Sequence, residues 1–329
     1  MFSSKVVKSL SATRPIIRLE CKGSKGTVSD WLPLKQDWSK RFCILPEQYT
    51  EDFARRINEF ATRDGDVFVV TFMKSGTTWM QELAWLLLNN LDFDKANKSH
   101  TVRRCPHIEH SVIRNNLHVD SISVCDQMQD NPRFIKSHLP AQLLPRQIWE
   151  NKRKIIYVAR NPKDVVISSF YFLTKLNLWQ GNMDDYIDEF ITDRIYYASY
   201  WSNVLDFYRM RNESNVFFVT FEEMKQDLKD VIERLSRFLD CKVLSEMEVD
   251  MLVKHLSFDQ MKENQFNNPT SLIRAAFEAK EDFNFMRRGI VGSYRDELSS
   301  EQISKLDRWT QEYLQEYGLN ESDIFGNIK

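Results

Sequence analysis

The sequence predicts an α/β fold: a three-layer sandwich with a central parallel sheet and a P-loop-like anion-binding loop. Three observations carry this. Short apolar runs rich in β-branched residues recur at 67–72, 155–159 and 216–221, each followed by a segment with helical spacing. The runs are continuous rather than alternating, which suits strands covered on both faces by crossover helices. The segment Lys74-Ser75-Gly76-Thr77-Thr78-Trp79 lies between the first run and its helix, where free helix-terminal N–H groups favour an anion.

Ahead of the first strand, Lys5, Lys8, Arg14 and Arg18 stand among serines and threonines with no acid in the first nineteen residues. Residues 1–30 are therefore read as a flexible basic N-terminal extension, with a mitochondrial transit peptide as the alternative. Residues 31–329 are expected to form one domain, since no internal repeat and no Gly/Pro-rich linker marks a second. After the first strand, Met80, Leu83, Ala84, Leu87, Leu88 and Leu91 recur at one-face helical spacing. Arg133 to Ile135 reads as a short strand. Near the end, Ser299 and Gln302 resemble a capping box, and Ile303, Leu306, Trp309, Tyr313 and Tyr317 continue the apolar face of a closing helix.

The totals bound the function. The chain has 329 residues, 42% hydrophobic and 28% charged, enough for a large core. Its 45 basic and 47 acidic residues give a net charge of -2, which speaks against a surface built for nucleic acid and makes any anion site local. Five scattered cysteines without a CxxC pair predict free thiols in a reducing compartment. The run Leu83–Leu88 is far shorter than the roughly 20 residues of a bilayer-spanning helix, so a soluble chain without a membrane span is expected.

In the loop, Lys74 stands two residues before Gly76, whereas a Walker loop puts its lysine directly after the second glycine, so a standard ATP or GTP loop is disfavoured. A plain helix cap is the unfunctional alternative. With TFMKSGTTW at 71–79, KSHLP at 136–140, YVARNPKDVVIS at 157–168 and FMRRG at 285–289, the chain resembles the cytosolic sulfotransferases from about residue 40 onward. Met73 stands where the family usually has proline, and Phe221 where many relatives have tyrosine. The resemblance implies a phosphosulfate-binding loop and transfer of a sulfuryl group from 3'-phosphoadenosine 5'-phosphosulfate (PAPS), without a metal, to a hydroxyl of a small lipophilic acceptor such as a phenol, steroid or other alcohol.

By the same resemblance Lys74 faces the leaving phosphate, Thr77 and Thr78 with backbone N–H groups hold the 5'-phosphate, and Ser75 and Gly76 belong to the same cofactor-binding loop. Arg160, Ser168, Arg287, Arg288 and Gly289 hold the 3'-phosphate. Trp79 and Phe258, flanked by Ser257 and Met261, enclose the adenine, with Phe221 nearby. His138, at a turn beyond a strand end, is the expected general base, and the neighbouring cation Lys136 favours its neutral form. The catalytic set is thus His138, Lys74, Lys136 and Ser168. His100, His107, His110, His118 and His255 are read as ordinary hydrogen-bonding residues, and the HxxH at 107–110 lacks a third metal ligand. Phe170, Phe172, Leu176, Trp179 and Phe266 are candidate acceptor lining, with core packing an equal reading. Leu176 stands where an acid favours amine acceptors in some relatives, so a neutral acceptor is preferred.

Three alternatives stay open: a retinol dehydratase-like outcome on the same fold, a P-loop nucleotide kinase, and a PAPS-binding protein without catalysis. The family's dimer signature near the C-terminus is replaced here by Arg295, Ser299, Ser300 and Ser304, so a monomer, or a homodimer through another surface, is expected. Cytoplasmic localisation is expected, with mitochondrial as the alternative.

Overall fold

The computed structural model describes residues 2–9, 11–21, 30–113 and 119–327; His118 lies outside them. Four strands, β4 (Val67–Thr71), β5 (Phe134–Ser137), β6 (Lys154–Ala159) and β7 (Val216–Thr220), form a parallel sheet in the order β5-β4-β6-β7. The expected runs are these strands, with Phe221 opening the next helix instead of closing β7.

Successive residues face opposite layers. Val67, Val69, Ile156, Val158 and Val219 join one core with Met80 and Leu83 of the helix Thr77–Leu88 and with Ile232 and Leu235. Phe68, Val70, Ile155 and Tyr157 join the other with Val165 and Ile167 of the helix Pro162–Lys175 and with Val204 and Phe207. Both faces of the sheet are thus covered, which is why its strands read as unbroken apolar runs. The helix Thr77–Leu88 buries more than its predicted stripe, since Gln81, Glu82, Trp85 and Leu86 are buried as well. Leu91 lies beyond its end with φ 62°. The closing helix Ser300–Gln315 starts on the predicted capping box of Ser299 and Gln302.

The N-terminus departs from expectation. β1 (Phe2–Val7), β2 (Ile16–Cys21) and β3 (Phe42–Pro46) form a second, antiparallel sheet, so the described part of 1–30 is not a flexible extension. Burial of Ile16, Ile17 and Leu19, which are 1%, 6% and 0% exposed, provides the driving force. Of the basic residues that suggested a tail, Arg18 donates to Glu20 at 2.7 Å and lies 3.5 Å over the Phe42 ring. Ile44 of β3 exchanges backbone bonds with Tyr197 and Ala198 (2.7 and 3.0 Å), fastening this sheet to the main body.

An ion pair sits at the foot of the parallel sheet. Arg133 donates to Asp66 at 3.0 and 2.5 Å, and both side chains are fully buried. Removing one partner of a buried pair leaves an uncompensated charge. Asp66→Ala is expected to destabilise the protein by about 3–5 kcal/mol, read as a lower urea midpoint at unchanged slope.

Candidate functional site

One cavity of about 380 Å³ opens at the C-terminal ends of β4, β5 and β6 and gathers most of the sequence-predicted residues. The strand order explains its place. From β4 the chain crosses to β5 on one side and returns to β6 on the other, and the crevice where crossovers diverge is the usual ligand position in such sheets.

Its first wall is the loop between β4 and the helix Thr77–Leu88. Lys74 and Gly76 both have positive φ, 65° and 97°, and this folds the loop tightly onto the helix start. A Cβ on Gly76 would stand 2.7 Å from the Phe221 ring, so only glycine fits. Thr77 and Thr78 line the cavity in the first turn, where N–H groups have no intrahelical acceptor. Ser75 is fully buried and its hydroxyl is unpartnered among the described residues, as is the Trp79 indole N–H.

Cations reach the cavity from several segments, among them Lys74, Lys136, Arg160, Arg287 and Arg288. The Lys74 ammonium lies 4.5 Å over Phe172 and 4.0 Å over Phe285 and donates weakly to the Phe285 carbonyl at 3.4 Å. Burial pushes its pKa down to about 7, and Arg160, Lys136 and Arg287 push the same way. Arg160 follows β6, 8% exposed, over the Phe221 ring at 4.4 Å. It donates to the carbonyls of Lys74 (3.3 Å) and Ile290 (3.1 Å), while its Nε is unpartnered among the described residues. Burial lowers its pKa too, against the pull of Asp164 and Glu222. Ser168 lines the cavity two turns into the helix Pro162–Lys175. No Asp or Glu is among the described residues that line the cavity, and the carboxylate near Arg160 is that of Asp164, at 3.9 Å.

Arg287 and Arg288 also reach the cavity, but they are already engaged. Arg287 donates to both Glu297 oxygens at 2.7 and 2.9 Å, and Arg288 to Glu297 at 3.2 Å and Asp296 at 2.6 Å. Their segment is tied to the start of the helix Pro162–Lys175 by buried Asp164, which accepts from Gly292 N–H (2.8 Å), the Ser293 hydroxyl (3.0 Å) and Tyr294 N–H (3.2 Å). A Cβ on Gly289 would lie 2.3 Å from the Phe258 ring, so this segment also backs Phe258. Met261 lines the cavity beside it. Ser257 does not: it is exposed and caps the helix Phe258–Glu263.

At the junction with the apolar half stands His138, directly after β5 and 7% exposed. Its Nδ1 lies 2.9 Å from the Thr71 carbonyl and 3.0 Å from the Thr71 hydroxyl. A carbonyl only accepts, so this partner assigns the proton to Nδ1 and leaves a lone pair on Nε2. The His138 N–H donates to Glu109 Oε1 at 2.6 Å and the Ser137 hydroxyl to Oε2 at 3.0 Å. Burial holds the imidazole pKa well below the ordinary histidine range, reinforced by Lys136 and His107 and opposed by Glu109 and the Thr71 carbonyl. Lys136, on β5, lines the cavity, and burial lowers its pKa as well.

Sequence reading missed Thr71, Glu109 and Asp164. Thr71 closes a strand whose other members are apolar, and Glu109 lies inside the HxxH segment, where a carboxylate reads as solvated. The backbone bonds Lys136 N–H to Pro106 O and Ile108 N–H to Lys136 O (2.9 and 3.0 Å) bring that segment beside β5. His100, His107 and His110, read as ordinary residues, all line the cavity, the His107 ring 5.0 Å from that of His138. His255 does not, and its Nε2 lies 2.8 Å from Glu82.

The apolar half is built by Pro46, Ile113, Phe172, Leu173, Leu176, Leu178 and Phe266, and by Leu272, Ile273 and Phe277 of the helix Thr270–Phe277. Phe172, Leu176 and Phe266 stand where expected. Phe170 and Trp179 do not line it; they pack edge-to-face with each other and with Tyr186 in the core.

A cation-rich half and an apolar half meeting at one buried imidazole define a group-transfer enzyme that brings an anionic donor to a lipophilic acceptor. The chain matches the Sulfotransferase domain family over residues 64–318, and it belongs to that family. Luciferin sulfotransferase of Photinus pyralis is 35% identical over an alignment of 331 residues, covering 92% of this chain and 87% of that one. Sulfotransferase 1B1 of Mus musculus is 35% identical over 254 residues, covering 77% and 83%. Among solved structures, retinol dehydratase in complex with androsterone and the inactive cofactor PAP aligns with a TM-score of 0.83 at 24% identity over 98% of both chains. Mouse sulfotransferase SULT7A1 complexed with PAP aligns at 0.66 and 23% identity, over 89% and 96%. These structural likenesses bear on the fold.

Proposed function

We propose that the protein transfers a sulfuryl group from PAPS to the hydroxyl of a small lipophilic acceptor such as a phenol, steroid or other alcohol. The observation that carries this reading is a cavity lined by Lys74, Lys136, Arg160, Arg287 and Arg288 without a carboxylate among its described lining residues, continuous with an apolar pocket through His138. When bound, PAPS supplies a sulfuryl group on a phosphate leaving group. His138 Nε2 takes the acceptor proton as the new S–O bond forms and the bridge to phosphate breaks, giving a sulfate ester and 3',5'-ADP. Lys74, Lys136 and Ser168 steady the charge that moves onto the bridge and the equatorial oxygens. Thr77, Thr78 and the loop backbone hold the 5'-phosphate, and Arg160 with Ser168 holds the 3'-phosphate. Ser75, Trp79 and Arg160 each keep a buried polar atom without a partner among the described residues, which suits such a ligand. Arg287 and Arg288 turn to it only by sharing or leaving Glu297 and Asp296.

We place the enzyme in the cytoplasm, as a monomer or a homodimer through a surface other than 295–304; cleavage of a leader would strip β1 and β2 from a packed sheet. The test of function is a panel of phenols, steroids, other alcohols and amines with labelled PAPS, with product analysis separating a stable ester from an eliminated alkene. Labelling that depends on ATP and magnesium instead of PAPS would return the kinase reading.

Lys74 provides a second check. In the free protein it loses its proton as pH rises through about 7, whereas a bound anion favours the charged form, so binding takes up a proton above that pH. The affinity for 3',5'-ADP is expected to weaken between pH 7 and 9, by up to about tenfold per unit for one coupled proton. Lys74→Met should flatten the slope, and a slope unchanged in that variant would exclude Lys74 as its source.

A further inference from the structure

The acceptor half of the cavity contains one cation that the transfer chemistry does not use. Arg14, half-buried in the turn between β1 and β2, lines the wall with Leu178 and Tyr196. No hydrogen bond or ion pair joins its guanidinium to any described residue. Burial pushes the Tyr196 phenol up to about 12, and Arg14 pulls it the other way.

The turn that carries Arg14 is firmly docked. The Thr13 N–H donates to Leu178 O at 3.2 Å and its hydroxyl to Asn177 O at 2.7 Å, and Gln180 N–H donates to Ser11 O at 2.8 Å. Ser9 anchors the same turn, donating its hydroxyl to Glu189 at 2.6 Å and accepting from Ala12 N–H at 2.8 Å. Pro15 follows directly, restricts Arg14 to extended backbone, and accepts from Glu47 N–H at 3.2 Å through its carbonyl. Backbone contacts on both sides therefore hold this arginine in the pocket wall, and its planar fork matches a carboxylate in two parallel bonds.

Resting on the sulfotransferase reading above, we infer that Arg14 is a specificity residue for acceptors that carry a carboxylate remote from the hydroxyl that is sulfated. The acceptor spans the apolar pocket, with its hydroxyl at His138 and its carboxylate at Arg14. An alcohol or phenol with an aliphatic or aromatic body and a terminal acid is the class that fits. Donor and acceptor then enter a site with cations at two separate places, which accords with the lack of any acid among the described lining residues.

The test uses the full chain and a chain-length series of ω-(para-hydroxyphenyl)alkanoic acids with their methyl esters. Binding to the protein saturated with 3',5'-ADP is measured by calorimetry, and sulfuryl transfer from PAPS in parallel. At the chain length that spans the pocket, the acid should be favoured over its ester by about tenfold, a value set by a half-exposed charge-assisted pair. Arg14→Gln should erase that ratio, and Arg14→Lys should keep part of it, since charge remains without the fork. An acid-to-ester ratio that is the same in the unmodified protein and Arg14→Gln at every length overturns the inference. Absence of transfer to every acceptor, with the binding ratio and its loss intact, would instead sink the sulfotransferase reading and leave the carboxylate site standing.

Discussion

His138→Ala is expected to lower sulfuryl transfer by about 10²–10⁴, the usual loss on removing a general base, while leaving the affinity for 3',5'-ADP nearly intact. The separation follows from where the ring is held. Its Nδ1 is tied to the Thr71 carbonyl and its backbone N–H to Glu109, so the free Nε2 belongs to the acceptor side. The contacts proposed for the nucleotide come from the loop 74–79 and from Lys136, Arg160 and Ser168. Calorimetry with the nucleotide beside a transfer assay reads both quantities, and a variant with near-normal turnover removes His138 from the mechanism.

The same ring sets the sign of the pH dependence. Its pKa in the folded protein is depressed, chiefly by burial, so the base form prevails at neutral pH, and proton capture blocks transfer only as pH falls through the depressed value. The unfolded chain binds that proton first, in the ordinary histidine range, so folding stability is lost as pH drops below about 6.5 and keeps falling until the folded form also titrates.

The sequence made legible what depends on local pattern. Unbroken apolar runs gave β4, β6 and β7 to within a residue or two, and the Ser299 and Gln302 box gave the start of the last helix. Lys74, Gly76, Arg160 and His138 were readable because each sits at a strand end, where the chain must turn and the sheet must open. What was not readable depends on register between distant segments. Glu109 becomes a partner of His138 only because 106–108 pairs with Lys136, and nothing local marks its carboxylate as buried. The same holds for Arg14, which in composition is one basic residue in a Ser-rich tail and in the fold is a pocket residue held by Leu178 and Asn177 through its neighbour Thr13. Phe170 and Trp179 show the converse: aromatic residues next to a pocket in sequence turn into the core when Tyr186 offers a better-packed partner.

Arg160→Ala is expected to erase most of the preference for 3',5'-ADP over 5'-AMP. Charge-assisted hydrogen bonds are worth roughly 1.5–3 kcal/mol each before desolvation and non-additivity, and a net gain of about 3 kcal/mol corresponds to roughly a hundredfold ratio. Arg160 should supply most of it. Arg287 and Arg288 are already neutralised by Glu297 and Asp296, whereas Arg160 is buried, its nearest carboxylate is the 3.9 Å contact to Asp164, and its Nε has no partner among the described residues. The substitution also removes the bond from Arg160 to the Lys74 carbonyl, so some loss of 5'-AMP affinity through the loop is expected in addition. Measuring both nucleotides on both proteins closes a double cycle that subtracts this shared loss and isolates the coupling between Arg160 and the 3'-phosphate. Equal affinity for the two nucleotides in the unmodified protein, or equal losses for both in the variant, would remove Arg160 from the 3'-phosphate site and reopen the kinase reading.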